Sequence, residues 1–333
     1  MRFDIHDIIK GLRPEFWSVS LAPLWIGALL VPGNQLRVTL RAFLYTIISG
    51  PFIPPSAYFS MKIAAIKTII SSYNWAGPLA LMVAASLIVG PLVPGGAYIV
   101  NAYFDREGDK RSVRTKHLSI VQDKLLKRGS LVLATLFFFA ALVLSFLIGG
   151  VFFYLTVFGI VLGIMYSLPP VRLKSIPILD TVTNGIAYGI LPTLAGWVVL
   201  GGSINQYIII IAFPIALCTM AGHTALAIPD SKVDEYFNQN TTAVVLGKEK
   251  TGVLSFFLLT AYAALILLYS LVGLLPLLTI LALVPIAMAI ETYFSIRKHI
   301  AEEEFLDQIE DYNRIVIYMY AAVGFFFLAL VGG

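Results

Sequence analysis

Charged residues are scarce in this sequence. Only 13% of its 333 residues are charged, whereas 59% are hydrophobic and the mean hydropathy is +0.87. A soluble domain carries about 25% charged residues, so the composition excludes a soluble globular protein and predicts an integral membrane protein. A single cysteine, Cys218, allows no intramolecular disulfide.

Regular two-residue alternation of polar and apolar residues is also missing, which favours helices over a barrel. The hydrophobic runs are about 20 residues long, the length that a helix needs to cross a bilayer. We predict an all-α fold, a polytopic membrane helical bundle of about nine transmembrane helices around a central cavity, as one domain over residues 1–333. The predicted spans are 16–32, 77–100, 130–148, 151–168, 178–200, 207–227, 252–272, 274–294 and 314–332.

Residues 34–76 do not fit this pattern, because they are apolar but broken by "SGPFIPPS". We predict a surface-lying or re-entrant insertion. With a cytoplasmic N-terminus, every Lys and Arg outside this insertion lies on the cytoplasmic side, and the external loops contain no Asp or Glu. The positive-inside rule supports this orientation. We therefore expect a multi-pass cell-membrane protein whose functional loops face the cytoplasm.

Three polar side chains with helical spacing end the second hydrophobic run. Asn101, Asp105 and Asp109 follow one another at four-residue intervals in "NAYFDREGD", so on a helix they would share one face. An ionised Asp near the bilayer centre costs roughly 2.5–3.5 kcal/mol on insertion scales. The two carboxylates therefore need a compensating partner.

A second acidic pair, Asp230 and Asp234 in "PDSKVD", ends the sixth run on the same predicted face, with Pro229 suited to a first helical position. A divalent cation held by both motifs would relieve the repulsion between carboxylates. Mg²⁺ prefers a few carboxylates together with substrate phosphate oxygens. The loop after the first motif adds bases that suit a phosphate, namely Lys110, Arg111, Arg114 and Lys116. Acids for a metal beside bases for a phosphate indicate a diphosphate ligand.

The fourth predicted span ends in "YSLPPVRLKS", where Pro169 and Pro170 stop the helix. Arg172 and Lys174 are candidates to clamp a phosphate, although juxtamembrane bases also anchor chains at lipid head groups. Tyr166 can offer its ring face to a cation. Further on, Asp180 and Asn184 share one helix face, and Asp180 is a candidate acceptor contact, with helix capping or pairing with Arg172 or Lys174 as the alternatives.

These features together suit an isoprenoid diphosphate, which needs an apolar tunnel for its tail and a metal for its head. Ionisation of the allylic C–O bond requires stabilisation of the leaving diphosphate by metal ions and basic groups, and of the carbocation by aromatic faces. The sequence contains the parts for both tasks at one end of the predicted bundle.

The sequence resembles the UbiA superfamily of intramembrane prenyltransferases. Its two Asp motifs match the family's N/D-D-x-x-D-x-x-x-D and D-x-x-x-D motifs, and "YSLPPVRLK", "NTTAVVLGKEKTG" and "LRPEFW" resemble further family stretches. The resemblance implies transfer of a polyprenyl group that depends on Mg²⁺, with Mn²⁺ as the alternative. The implied metal ligands are Asn101, Asp105, Asp109, Asp230 and Asp234. The catalytic candidates are the same four Asp residues together with Tyr166 and Asp180. The substrate-binding candidates are Asn101, Arg114, Lys116, Arg172, Lys174 and Asn184.

Some residues depart from the family pattern. Ala102 stands where the family commonly has an Asp, and "RTKHLSIVQ" lacks a segment common in the quinone and chlorophyll branches. "GHTALAIPDSKVD" resembles lycopene elongases, whereas "GPLVPGGAYIVNAYFDREGD" resembles chlorophyll synthases. The expected partners are geranylgeranyl diphosphate as donor, a lipophilic acceptor (a carotenoid, quinone precursor, chlorin or lipid) and the bilayer, with no nucleic acid.

Two alternatives remain open from the sequence. A transporter of a cation or lipid-linked phosphate would also suit intramembrane acids and a duplicated fold. The Asp motifs recur 125 residues apart, and Tyr166 and Tyr293 recur 127 residues apart, which suggests a pseudo-repeat of four-helix halves. A non-catalytic isoprenoid-binding protein is the third possibility, but it would not require two complete Asp motifs.

Overall fold

A computed structural model describes residues 12–48, 68, 71, 76–111, 127–297 and 309–332. Within these ranges the chain is all-α, as the sequence predicts, and contains no strand. Of the predicted insertion 34–76, the helix Gln35–Ile48 is described, whereas most of the remainder lies outside the described residues. The proposed role of that insertion stays a prediction.

Eleven helices, numbered here in chain order, make up the described bundle. They are α1 Trp17–Leu29, α2 Gln35–Ile48, α3 Ala76–Asp109, α4 Lys127–Ile148, α5 Gly150–Ser167, α6 Leu179–Val199, α7 Gln206–Tyr236, α8 Thr242–Leu246, α9 Lys248–Leu271, α10 Leu283–Arg297 and α11 Ile309–Gly332. Helices α3 and α6 each contain one π-helical segment, Ile88–Leu92 and Gly185–Ile190 respectively.

Seven segments of the described chain are long and apolar enough to cross a membrane. They coincide with α3, α4, α5, α6, α7, α9 and the segment Leu277–Ser295, which includes most of α10. The first and last predicted spans correspond to shorter apolar helices, Trp17–Leu29 and Ile317–Gly332. The protein is therefore a multi-pass membrane protein, while the predicted total of nine spans is not confirmed.

Both Asp motifs lie inside long helices rather than after them. Helix α3 continues beyond the predicted end at residue 100 to Asp109, and α7 continues beyond residue 227 to Tyr236. Pro229 is not at a first helical position, which corrects the sequence prediction, because it lies in the interior of α7. Membrane helices tolerate an internal Pro because neighbouring groups satisfy the freed backbone carbonyl. Each motif thus has helical geometry, with its side chains one turn apart.

Turn residues end the helices where the sequence predicts. Gly149 and Gly150 have φ of 85° and 54°, which lets the chain reverse between α4 and α5. Helix α5 ends at Ser167, two residues before Pro169. Side-chain caps start two later helices, since Asn205 accepts a hydrogen bond from the Ile208 N–H at 3.2 Å and Thr241 accepts one from the Val244 N–H at 3.4 Å.

Helices α1 and α6 cross at backbone contact. A Cβ added at Gly27 would lie 1.9 Å from the carbonyl oxygen of Thr193, and one added at Gly196 would lie 1.7 Å from that of Leu24. Small residues allow such close approach of membrane helices. The buried hydrophobic side chains form two clusters. One is made mainly by residues of α1 to α6, and the other by residues of α1, α6, α7 and the later helices.

Candidate active site

A cavity of about 380 Å³ is lined by residues of α1, α3, α5, α6, α7 and α11. Both Asp motifs reach it, which confirms that the fold brings together sequences 125 residues apart. Its polar end is formed by Asn101, Asp105, Asp109, Tyr166, Lys174, Asp180, Asn184, Asp230, Asp234 and Thr241. The opposite part is lined mostly by small and apolar side chains, among them Val19, Ala22, Leu162 and Val323.

The first Asp motif occupies the last turns of α3. Asn101 donates a hydrogen bond to the Ser167 hydroxyl on α5 at 3.1 Å, which joins the two helices. Asp105 is only 8% exposed, and Asp109 lies one turn further towards the helix end. Ala102, the departure from the family pattern, is buried away from the cavity lining.

Two basic side chains neutralise Asp105. Arg172 reaches one carboxylate oxygen from the α5–α6 loop at 2.7 Å, and Lys174 contacts the other. Lys174 is 8% exposed, so it does not serve as an anchor at lipid head groups. The two bases pair with Asp105 rather than with Asp180, which corrects the alternative that Asp180 pairs with Arg172 or Lys174. Arg172 itself has φ of 35°, in the left-handed region that residues other than glycine rarely adopt.

The second Asp motif lies in the last turns of α7. Asp234 accepts a hydrogen bond from the Thr241 hydroxyl at 3.3 Å. Burial lowers the pKa of Lys174 to about 8, while the nearby negative charges of Asp234 and Asp230 act in the opposite direction. Burial also lowers the pKa of Arg172, again opposed by Asp234. Lys174 therefore lies between the motifs, in contact with Asp105 and within electrostatic range of the second pair.

The helix ends that carry the motifs also touch each other. The guanidinium of Arg111 lies 4.2 Å from the centre of the Tyr236 ring and 5.6 Å from that of Phe237. Gly108 faces the Phe237 ring, because a Cβ added there would meet it at 3.5 Å. This contact, the Arg111–Tyr236 clamp, connects the segment after Asp109 with the segment after Asp234.

Asp180 makes a different set of contacts. Its carboxylate is 2% exposed and accepts hydrogen bonds from the Thr181 N–H at 2.7 Å, the Thr242 N–H at 2.8 Å and the Thr242 hydroxyl. The Thr242 hydroxyl in turn accepts one from the Ile178 N–H at 2.7 Å. Asp180 thus fixes the start of α6 to α8, and its proposed contact with an acceptor stays a prediction.

Comparison with known families agrees with this geometry. The sequence profile of the UbiA prenyltransferase family matches residues 62–305. This chain belongs to that family. The match includes both Asp motifs and the α5–α6 loop that carries Arg172 and Lys174.

Similar UbiA proteins include lycopene elongase/hydratases. The one from Haloarcula japonica is 32% identical over 192 residues, which are 54% of this chain and 61% of that protein. The one from Haloferax volcanii is 40% identical over 90 residues, 27% of this chain and 29% of that protein. The bacteriochlorophyll synthase 33 kDa chain of Cereibacter sphaeroides is 27% identical over 210 residues, 61% of this chain and 67% of that protein. The matches with the two elongases thus span less than two thirds of their lengths.

Solved UbiA structures share the fold over nearly the whole chain. A homologue from Archaeoglobus fulgidus bound to DMAPP and Mg²⁺ has a TM-score of 0.65 at 16% identity, covering 97% of this chain and 99% of that one. The apo homologue from Aeropyrum pernix K1 has a TM-score of 0.60 at 15% identity, covering 94% and 96%. At this identity the likeness concerns the fold alone.

The donor atoms at the polar end suit a hard divalent cation. Within the described part of the chain, no three or more His, Cys, Asp or Glu side chains are grouped closely enough to hold a metal ion. Mg²⁺, however, uses one or two carboxylates and substrate phosphates rather than an all-protein cage. Oxygen donors of Asn101, Asp105, Asp109, Asp230 and Asp234 around one cavity fit that requirement in chemistry.

Four further candidates have different outcomes. Tyr166 and Asn184 both line the cavity, and the Asn184 amide donates to the Tyr166 hydroxyl at 3.2 Å and to the Asp180 carbonyl at 2.8 Å. Arg114 and Lys116 lie outside the described residues, so their assignment as substrate-binding residues stays a prediction.

Several cavity residues carry no role in the sequence-based site. Arg13 lies over the rings of Phe16 and Tyr98, at 4.4 and 5.5 Å from their centres, and Tyr98 stacks on Tyr188 at 6.4 Å. The "LRPEFW" resemblance was the available signal for Arg13. Thr241 and Thr242 had a similar signal in "NTTAVVLG". His223 had none, since a single histidine in an apolar run is usually structural.

Proposed function

We propose that this protein transfers a prenyl group from an isoprenoid diphosphate to a hydrophobic acceptor within the membrane. One observation carries the proposal: two carboxylate motifs and the buried amine of Lys174 converge at one end of a cavity whose remainder is largely apolar, and the partly exposed Arg172 pairs with Asp105 beside it. Such a cavity suits an amphiphilic ligand with a dianionic head and a hydrocarbon tail. The family membership of the chain gives independent support.

The polar end is suited to hold the diphosphate. Asn101, Asp105, Asp109, Asp230 and Asp234 are the residues that would hold Mg²⁺ or Mn²⁺, which supplies charge stabilisation for the leaving diphosphate. Arg172 and Lys174 lie beside Asp105 and can turn to phosphate oxygens as charge-assisted donors. With Asp105 turned to a bound metal, these two bases would be free to hold the phosphate oxygens of the same head.

The remaining cavity wall would hold the tail and the acceptor. Tyr166 lies at the junction of the two environments, where its ring can stabilise the allylic cation after C–O cleavage. Apolar and small side chains deeper in the cavity exclude water, which would otherwise capture that cation. Geranylgeranyl diphosphate is the donor we propose.

The acceptor class follows from the relatives rather than from the geometry. The similar proteins include lycopene elongase/hydratases and a bacteriochlorophyll synthase, so a carotenoid or a chlorin is the first acceptor to try, followed by quinone precursors and lipids. The positive-inside pattern supports a cytoplasmic location for the polar end.

Diphosphate release tests this proposal. The purified protein in lipid vesicles would receive geranylgeranyl diphosphate and Mg²⁺, with lycopene, a chlorin or a lipid extract, and Asp105→Asn would serve as the control. Acceptor-dependent release that is lost in the variant supports a prenyltransferase, and mass spectrometry of the product identifies the acceptor. Absence of release with every donor length and acceptor would contradict it and favour transport or binding.

A further inference from the structure

His223 lies on the cavity wall formed by α7. Its side chain lines the cavity, as do those of Thr219, Ala227, Asp230 and Asp234. These residues share one face of α7, at spacings of three or four residues. His223 therefore lies on the same strip of wall as the second Asp motif, about 10 Å from Asp230 along the helix axis.

The level of His223 along α7 corresponds to the part of the cavity next to the proposed diphosphate position. The head group binds at the Asp end of the cavity, and the carbon that reacts is bonded directly to the diphosphate oxygen. An acceptor that attacks this carbon must lie just deeper than the head. Along α7, His223 is the polar side chain that lines the cavity at this level, between the carboxylates of Asp230 and Asp234 and the hydroxyl of Thr219.

The transfer reaction produces a proton that needs a base. The C1–O bond of the donor breaks with its electron pair on the diphosphate, and a bond forms between C1 and the acceptor. A hydroxyl acceptor then loses its own proton, whereas an alkene or aromatic acceptor becomes a cation that loses a proton from carbon. Neutral imidazole is the side-chain base best matched to this step near pH 7.

The other proton acceptors on the cavity wall are less suited to this task. The carboxylates of Asp105, Asp109, Asp230 and Asp234 lie at the head-group end. The carboxylate of Asp180 is occupied by Thr181 and Thr242. Among the described residues that line the cavity, His223 is the one histidine, and it precedes Asp230 on α7 by seven residues.

We propose that His223 is a catalytic general base, which takes the proton released by the acceptor as the new bond to C1 of the donor forms. This inference rests on the proposed prenyltransferase function. The proton passes to a ring nitrogen of His223, and the resulting imidazolium returns it to water after product release. The chemical class of acceptor is one whose attacking group carries a removable proton.

The test separates donor ionisation from transfer. Wild type, His223→Gln, His223→Ala and the control Thr224→Val, at a buried α7 residue that does not line the cavity, would be placed in phosphatidylcholine–phosphatidylglycerol vesicles with Mg²⁺ and C1-labelled geranylgeranyl diphosphate. Lycopene is the acceptor in one arm and a total lipid extract in the other. Released diphosphate, prenylated acceptor and free prenyl alcohol are measured, and donor binding reports on folding.

The expected result is a loss of prenylated acceptor of about 100-fold in His223→Gln, a typical contribution of a general base. Donor binding stays within threefold of wild type, the label moves to the prenyl alcohol, and added imidazole restores transfer in His223→Ala. Transfer by His223→Gln within twofold of wild type, or loss of donor binding without rescue by imidazole, would overturn the assignment. Wild type that forms no prenylated product in either arm would instead refute the proposed function, and this inference with it.

Discussion

Two carboxylates at the same end of the cavity have different surroundings. Asp105 is buried and contacts two basic side chains, Arg172 and Lys174. Asp234 accepts a hydrogen bond from the neutral hydroxyl of Thr241. The first carboxylate is thus paired with two cations of the protein itself, whereas the second lies beside another acid, Asp230, and within electrostatic range of Lys174. We infer that Asp230 and Asp234 would hold a metal–diphosphate head without first losing a basic partner, whereas Asp105 would hold it only with Arg172 and Lys174 turned to the phosphate oxygens.

The largest expected effect is on catalysis, where the two carboxylates should behave alike. Asp105→Asn and Asp234→Asn each remove a charge that would hold metal against the diphosphate, an interaction worth several kcal/mol in the transition state. We expect diphosphate release to fall by about 1,000-fold in each variant. The measurement is initial rate at saturating geranylgeranyl diphosphate and Mg²⁺. Wild-type rates in both variants would show that neither carboxylate is part of the site.

The two carboxylates should differ most in stability. Asp105→Asn leaves the buried Lys174 and the partly exposed Arg172 without their counter-ion, and breaking a buried ion pair costs about 3–5 kcal/mol. Asp234→Asn changes a carboxylate that accepts a hydrogen bond from the Thr241 hydroxyl, so its effect on the free energy of unfolding should be small. Thermal unfolding in detergent without ligand tests the contrast. Adding Lys174→Met to Asp105→Asn should restore part of the lost stability, and equal stability of the two single variants would contradict the difference in their surroundings.

The sequence predicted those features that depend on residue type and helical spacing alone. Hydrophobic runs predict membrane helices, because only a satisfied backbone is stable in lipid, and the Asp spacing predicts a common helix face. The sequence could not reveal that Arg172 and Lys174 form ion pairs with Asp105 rather than with Asp180, because this depends on the path of the α5–α6 loop. Pro229 was assigned to a helix start because proline favours the first helical position. It lies in the interior of α7 instead, because tertiary packing overrules that local preference.

The Asp180–Thr242 contact should matter for stability rather than for turnover. Thr242→Val leaves a carboxylate oxygen of Asp180 and the Ile178 N–H without their hydroxyl partner, at a cost of about 1–3 kcal/mol. Thr242→Ser retains the hydroxyl and serves as the control. We expect a lower unfolding midpoint for Thr242→Val alone, with turnover per folded molecule close to wild type. A large fall in turnover at unchanged stability would instead support contact between this region and the acceptor.

The Arg111–Tyr236 clamp should have a modest effect on assembly of the two motifs. A cation–π contact at an exposed site is worth about 0.5–1 kcal/mol, so Tyr236→Leu should raise the Mg²⁺ concentration for half-maximal diphosphate binding by about two- to fivefold. Tyr236→Phe keeps the ring and should match wild type. Identical Mg²⁺ dependence in the Leu and Phe variants would show that the clamp does not position the motifs.

The smallest expected effect is a change in donor affinity with pH. Burial lowers the pKa of Lys174 to about 8, so its positive charge is present below that pH and is lost as the pH rises through it. Donor binding should therefore weaken between about pH 8 and 9 in wild type. Lys174→Arg keeps its charge throughout this range and should abolish the decline. Donor titrations at fixed free Mg²⁺ measure this effect, and an unchanged decline in the variant would assign it to another group.

The central claim is that both Asp motifs hold one metal–diphosphate head, and Mn²⁺ binding with inorganic diphosphate tests it most directly. Electron paramagnetic resonance would count the Mn²⁺ ions bound per protein in wild type, Asp105→Asn and Asp234→Asn, with Thr242→Ser as control. The account predicts that diphosphate-dependent Mn²⁺ binding is weakened at least tenfold in both Asp variants and is normal in the control. Loss in only one of the two variants would contradict it, because a single motif would then hold the metal alone.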